Sequence, residues 1–265
     1  MPTALSVNIN KIALLRNSRE GNYPNLISFA ELAIAAGAKG ITVHPRPDQR
    51  HIRPSDVDQL KQLTDKHEDC EFNVEGNPFE KSLSNPTAIN SIDKEYPGFM
   101  EIIDRTRPDQ ATLVPDSNDQ LTSDHGFNLK EDTTELAAII QQLKQWNVRV
   151  SLFMDPDIEQ IDLAKAIGAD RIELYTGPYA ANFNTEEHQA TINVYRKAAQ
   201  HAHNIGLTIN AGHDLNQSNL SEFLAIAPIA EVSIGHALTV ESLLMGYTKT
   251  VEAYSKICQF DYTNS

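Results

Sequence analysis

The chain has 265 residues, with 40% hydrophobic and 22% charged side chains and a formal net charge of −14. That size allows a sizeable core, and the acidic balance argues against nucleic acid, whose affinity comes largely from Lys and Arg on phosphates. Cys70 and Cys258 lie far apart without CxxC spacing, which argues against a disulfide framework or a structural zinc site.

The N-terminal stretch MPTALSVNIN has neither a basic region nor a long apolar one, and no apolar run approaches the roughly 20 residues of a membrane span. A cytoplasmic protein with no membrane partner is therefore expected. LSVNIN (5–10) predicts the first strand, with Lys11 just past it and RNSREG (16–21) following. NLISFAELAIAAG (25–37) has apolar residues at helical spacing and stops at Gly37. GITVHP (40–45), CEFNVEG (70–76) and QATLVPD (110–116) predict the next three strands, and Ser55 in PSDV is placed to cap a helix. SNDQLTSDHGFNLKED (117–132) is polar and turn-rich, either a lid or an ordinary surface excursion. DTTELAAIIQQLKQWN (132–147) predicts a helix with cap-type residues at its start and Glu135 as a capping-box partner. RVSLFMD (149–155) and RIELYTG (171–177) are further strands, and TINVYRKAAQHAHNIG (191–206) is a helix ending at Gly206. LTINAGH (207–213) and EVSIGHA (231–237) complete a set of eight strands.

Strand and helix alternating eight times predict a parallel sheet covered by helices. In this length the pattern favours an α/β fold of one closed (β/α)8 TIM barrel, a single domain over residues 1–265. An open doubly wound sheet would call for a GxGxxG fingerprint where KIALLRNSREG stands. The strands read as nearly continuous apolar runs, as strands buried on both faces should.

A barrel builds its site from the C-terminal strand ends. Read in order, those ends carry Asn8 and Asn10, His44 and Arg46, Asn73 and Glu75, Thr112 and Asp116, and Asp155. Glu173, Tyr175 and Thr176 come next, then Asn210 and His213, then Gly235 and His236. Buried polar groups are costly unless paired or used, so hydrogen-bonding groups on all eight strands point to a site. His44, Arg46, Arg50, His51 and Arg53 gather positive charge within ten residues of an acidic chain, and guanidinium forks bind phosphate. Arg16 and Arg19 reach a second anion or form a solvated loop. Glu75 reads as a general base or as an ion pair with Arg46, while Glu173 sits deeper and reads as structural. The Gly-His pairs NAGHD (210–214) and SIGHA (233–237) allow close approach of backbone N–H groups to phosphate, and His213 is an acid–base candidate. His44, His213, His236 and Asp155 are the nearest thing to a metal set, but no HxH or HExxH is present. No metal is expected.

The blocks VNIN–KIALLRNSR, GITVHPRPDQRHIRPSDV, FNVEG, TLVPDSNDQLTS, VSLFMD, IELYTGPYA, NAGHDLN and IGHAL, in this order, resemble the pyridoxine 5-phosphate synthase family from about residue 5 to 250. The resemblance implies a TIM barrel with extra helices, assembled as a homo-octamer (a tetramer of dimers), with no metal or organic cofactor. It implies condensation of 3-amino-2-oxopropyl phosphate with 1-deoxy-D-xylulose 5-phosphate to pyridoxine 5-phosphate, phosphate and water. By motif, His44 and Glu75 are proton acceptors and His213 a proton donor. Asn8 and Arg19 hold the amino-oxopropyl phosphate with a Gly235-His236 cradle, and Arg46, His51 and Thr122 hold the deoxyxylulose phosphate. The sequence departs from the common pattern at Asn10-Lys11, where many members have Asp-His, and at Asp214, where many have Gly. Those three positions remain substrate-binding candidates. The alternatives are another phosphosugar barrel, an aldolase or isomerase, which would call for a strand-end Lys or a metal set, and a barrel that survives as an assembly or regulatory protein, which would have lost the acid–base set.

Overall fold

The computed structural model describes residues 2–84, 95–117, 119–260 and 262. The expected span of 1–265 and the loop 117–132 therefore each include positions, Asn118 among them, that lie outside the described residues. All eight expected strands form: β1 (Ala4–Asn8), β2 (Gly40–Val43), β3 (Glu71–Gly76), β6 (Gln110–Leu113), β7 (Arg149–Met154), β8 (Arg171–Tyr175), β9 (Thr208–Gly212) and β10 (Glu231–Ile234). They close into one parallel barrel, in the order β1-β10-β9-β8-β7-β6-β3-β2. The fold expectation is met. Two further strands, β4 (Lys81–Ser84) and β5 (Glu95–Gly98), pair antiparallel as a separate hairpin. Nothing in the sequence predicted it, since KSLS is short, polar and exposed and β5 contains Pro97.

The strands differ from the expected continuous apolar runs. Each alternates. One face carries residues such as Leu5 and Val7, Ile41 and Val43, Phe72 and Val74, or Ile172 and Leu174, all buried. These pack outward under the helices, each worth roughly 1.5–3 kcal/mol when fully buried. The other face carries polar residues that meet inside the barrel. Ser6 Oγ lies 2.6 Å from Thr42 Oγ1, Thr112 donates to Asn73 at 3.0 Å, and Arg171 reaches Gln110, Asn210 and Glu231 at 3.2–3.3 Å. A polar lumen, largely hydrogen-bonded within itself but with Ser151 Oγ, Glu173 Oε2 and Glu231 Oε1 left without a partner among the described residues, replaces the usual branched apolar layers.

The helices around the barrel are α1 (Asn10–Asn17), α2 (Leu26–Ala35), α3 (Pro54–Thr64), α4 (Phe99–Thr106), α5 (Thr134–Gln145), α6 (Ile158–Ala166), α7 (Gly177–Asn182), α8 (His188–Asn204), α9 (Leu220–Leu224), α10 (His236–Met245) and α11 (Tyr247–Gln259). α2 and α8 end near Gly37 and Gly206 as expected, both glycines at positive φ of 101° and 79°. Two capping expectations fail. Ser55 lies inside α3, and it is Asp56 that accepts from the Arg53 N–H at 2.8 Å. At α5, Thr133 is the cap residue with no side-chain cap bond, and Asp132 rather than Glu135 satisfies a free N–H, accepting from Thr134 at 3.0 Å. No described helix is long and apolar enough to cross a membrane.

Candidate active site

A cavity of about 400 Å³ opens at the C-terminal mouth of the barrel. His44, Glu75 and His213 line it, and so do Asn8, Asn10, Lys11, Arg46, His51, Thr122, Asp214, Gly235 and His236. Arg19 does not. It stands exposed after α1, outside the cavity. Arg16 is also not an anion ligand. Its guanidinium is buried and forked onto Asp56 at 2.6 and 2.8 Å, with a third bond to the His51 carbonyl at 3.0 Å. Sequence reading missed this because helix and loop positions give no hint of a partner 40 residues away.

That ion pair positions the basic segment. Asn17 donates from Nδ2 to the carbonyl of His51 at 2.8 Å and of Arg50 at 3.2 Å, so α1 grips the loop after β2 from beneath. The loop then presents Arg46, Arg50 and His51 to the cavity, with Lys11 among the groups lining it. Arg46 pairs with Asp116, not with Glu75. The polar segment after β6 folds down as a cover. Arg50 donates to the Gln120 carbonyl at 2.8 Å, Leu121, Thr122 and Ser123 line the cavity, and Thr122 Oγ1 lies 2.9 Å from His213 Nε2. The lid reading is the one this geometry favours. On the far side, α10 starts at the mouth with Gly235 as its cap. Its first-turn N–H groups have no intrahelical acceptor and give the partial positive charge that attracts anions. A side chain at Gly235 would press on Asn8, whose Cβ and backbone oxygen come within 3.1 and 3.2 Å of where its Cβ would stand.

The acid–base groups sit between these two cationic edges. Asn8 Nδ2 donates to Glu75 Oε2 at 3.4 Å, and His44 Nδ1 stands 3.9 Å from the same oxygen. Burial pushes the Glu75 carboxyl up to about 8, and the Asp116 and Glu231 charges add to it against Arg46 and Ser233. Burial, then Glu75 and Glu231, also raises Glu173 well above the carboxylate range. Glu173 lines the cavity, and its Oε2 has no hydrogen-bond partner among the described residues. Gly212 makes room for it, since a Cβ there would collide with Glu173 Oε1. The structure therefore brings Glu173, read from sequence as structural, to the cavity wall. The available signal was period: Arg171, Glu173 and Tyr175 share the inward face of one strand.

Burial holds both cavity histidines near the basic loop neutral, His44 well below its usual range and His51 down to about 3, with the Arg46 charge the next cause in each. Depressed histidines contribute stability that is present above about pH 6.5 and lost as pH falls toward the folded value. Each pH step between the unfolded and folded values costs about 1.4 kcal/mol, and each kcal/mol moves the thermal midpoint by roughly 2–4 °C. The midpoint should therefore drop by several degrees between about pH 6.5 and pH 4. His51→Gln should flatten that slope; scanning calorimetry across the range checks it. Among the described residues, no group of three or more His, Cys, Asp or Glu side chains is placed to hold a metal ion.

A closed parallel barrel with buried acid–base groups at its C-terminal mouth, Glu75 shifted up and His44 down, defines a (β/α)8-barrel enzyme. The family follows from comparison: residues 5–260 match the model of the pyridoxal phosphate biosynthesis protein PdxJ, and the chain belongs to that family. A pyridoxine 5'-phosphate synthase of Xanthomonas axonopodis pv. citri is 50% identical over 266 residues, covering 100% of both chains. The one of Xanthomonas oryzae pv. oryzae strain PXO99A is 52% identical over 258 residues, 97% of each, and that of Albidiferax ferrireducens 47% over 255 residues, 96% of each. Among solved structures, thiamine phosphate pyrophosphorylase from Pyrococcus furiosus aligns with a TM-score of 0.58 at 14% identity, covering 96% of this chain and 95% of that one. That likeness is one of fold.

Proposed function

We propose that the chain is a pyridoxine 5-phosphate synthase, joining 3-amino-2-oxopropyl phosphate to 1-deoxy-D-xylulose 5-phosphate with loss of phosphate and water. The observation that carries the reading is one cavity with cationic edges on two sides and shifted acid–base groups between them. A substrate pair with two phosphates needs two anion sites. The Gly235-His236 start of α10, with Asn8, suits the amino-oxopropyl phosphate; Arg19, exposed outside the cavity, is not placed to share that role. Arg46, His51 and Thr122 suit the deoxyxylulose phosphate, with Asn10 and Lys11 beside them. Asp214 lines the same cavity. The aldolase and isomerase alternative has less support. Lys11 lies beyond β1 at the start of α1, and the described residues offer no metal set.

The chemistry asks for repeated proton transfer. The amine adds to the ketone, water leaves, a carbon acid loses its proton and phosphate is expelled before ring closure. At neutral pH His44 is without its extra proton and Glu75 largely keeps its own, so the two, side by side with Nδ1 and Oε2 3.9 Å apart, can serve as acceptor and donor to one bound substrate. His213, under the lid at Thr122, gives a proton to a leaving oxygen. Glu173 keeps its proton and donates a hydrogen bond where charge develops. The lid keeps water from a site whose product includes water.

A homo-octamer goes with this reading. Leu15 of α1 and Leu243 and Leu244 of α10 are exposed, on helices that touch each other, and an apolar surface of that kind is normally covered. The deciding experiment incubates purified protein with both substrates, with and without EDTA, and follows pyridoxine 5-phosphate by absorbance and mass. Product formation insensitive to EDTA is expected. No product from folded protein would overturn the reading.

A further inference from the structure

We propose that Asp214 is a positioning residue for His213, fixing which ring nitrogen of that imidazole carries the proton. The inference deepens the synthase reading and rests on it for the meaning of a rate effect, though not for the state of the ring.

β9 ends at Gly212, and the chain then turns through two consecutive non-glycine residues at positive φ, 87° for His213 and 59° for Asp214. Such backbone is uncommon away from glycine, and Asp is among the few residues that tolerate it. The turn folds the Asp214 carboxylate back onto its neighbour, with Oδ2 at 2.9 Å from His213 Nδ1. The hydrogen bond to His213 holds the Asp214 carboxyl below its usual range, and the charges of His213, His236 and Lys11 act in the same direction. An ionised carboxylate only accepts, so Nδ1 is the donor. The neutral ring then keeps its lone pair on Nε2, the nitrogen that lies 2.9 Å from the Thr122 hydroxyl. When substrate displaces Thr122, the nitrogen offered to it is Nε2, which first takes a proton from the reacting substrate to form the imidazolium, with Nδ1–H still donating to Asp214, and then delivers that proton to the leaving oxygen.

The surroundings support the orientation. The Tyr175 ring of β8 packs edge-on against the imidazole with centroids 5.1 Å apart, which limits its rotation. Lys11 of α1 and His236 of α10 face Asp214, and Asp124 of the lid and Asp155 after β7 act on Tyr175. This arrangement also explains how a carboxylate is tolerated beside an anion site. It is turned onto the ring. The logic is that of a carboxylate orienting a catalytic histidine, here from the adjacent residue and half-exposed, so a smaller effect than in a buried triad is expected.

The test reads the ring directly. The chain has nine histidines, so ¹⁵N-histidine-labelled enzyme is measured at a pH where the rings are neutral, with the His213 signals assigned by their loss in His213→Asn. Wild type should show the Nδ1–H form. Asp214→Gly adopts the required φ without strain, so it should fold normally and shift the ring toward Nε2–H. Its kcat should fall about tenfold with KM within twofold, as for an interaction made in the transition state. An Nε2–H ring in wild type, or an unchanged ring and kcat in Asp214→Gly, would overturn the proposal. A raised KM at unchanged kcat would overturn it too, marking Asp214 as a plain substrate contact. Failure of the synthase reading would appear separately, as absence of product from wild type.

Discussion

Glu75→Gln is expected to lower kcat by about 10³-fold, within the 10²–10⁴ that a positioned acid–base group supplies, while making the protein more heat-stable at alkaline pH. Both effects come from one fact: Glu75 is buried, and its carboxyl is pushed up to about 8. The folded state holds a proton that the unfolded chain releases near pH 4.5. Ionising the buried group therefore costs stability progressively as pH rises from about 4.5 to 8, and the full cost is present above 8. Glutamine has the same shape and never ionises, so the variant gains little at pH 5 and most at pH 9, a rise of several degrees in thermal midpoint. In the wild type, kcat/KM should climb with pH through about 8 as the carboxylate becomes available as a base. The variant's residual rate should lack that limb. Steady-state kinetics from pH 6 to 9.5, beside melting curves at pH 5 and 9, check the two halves. A variant that kept wild-type activity would remove Glu75 from the proton-transfer set.

The barrel was legible because its signal is repetition, eight strand-like runs separated by helical periods. Their C-terminal limits were not, and the reason is physical. In GITVHP and QATLVPD the residues past Val43 and Leu113 leave the ladder to build the mouth. The polar alternation was present in the letters, as in Leu5-Ser6-Val7-Asn8, but looks like a buried parallel strand unless the lumen itself is polar. Most of the site was readable from strand-end position together with the family resemblance, which alone supplied Thr122; between them they bring twelve of the thirteen candidates to the cavity and leave out only Arg19. Partnerships were not readable. Nothing in RNSREG distinguishes the buried Arg16 from the exposed Arg19, because the choice is made by Asp56, on a different helix. Nor does the sequence say that one Glu173 oxygen, Oε2, would go without a partner among the described residues while Arg171, two residues away on the same face, is bonded three times.

Asp56→Ala is expected to destabilise the fold by about 3–5 kcal/mol, the usual result of leaving one member of a buried ion pair uncompensated. For a chain of this size that corresponds to roughly 10 °C or more in thermal midpoint. The Arg16 guanidinium would lose both its 2.6 and 2.8 Å bonds, and the Arg53 N–H at the start of α3 its acceptor. The double replacement Arg16→Met with Asp56→Leu should recover much of the loss, since apolar residues of similar volume often match a buried pair. Activity should not follow stability. Arg16 also donates to the His51 carbonyl at 3.0 Å, and Arg53 donates to Asn17 at 2.8 Å, tying the basic loop to α1. With the Arg16 tie gone and only the Asn17 bonds left to hold it, the loop carrying Arg46 and His51 is freer to shift, and small displacements of a binding group are expensive in rate. The stable double variant should therefore show a KM for the deoxyxylulose phosphate raised at least about fivefold, with KM for the amino-oxopropyl phosphate, whose proposed site is across the cavity at α10, little changed. Equal KM values for both substrates would reduce the pair to a purely structural element. A selective rise would mean that this acidic chain keeps a costly buried pair because it holds the basic loop in place.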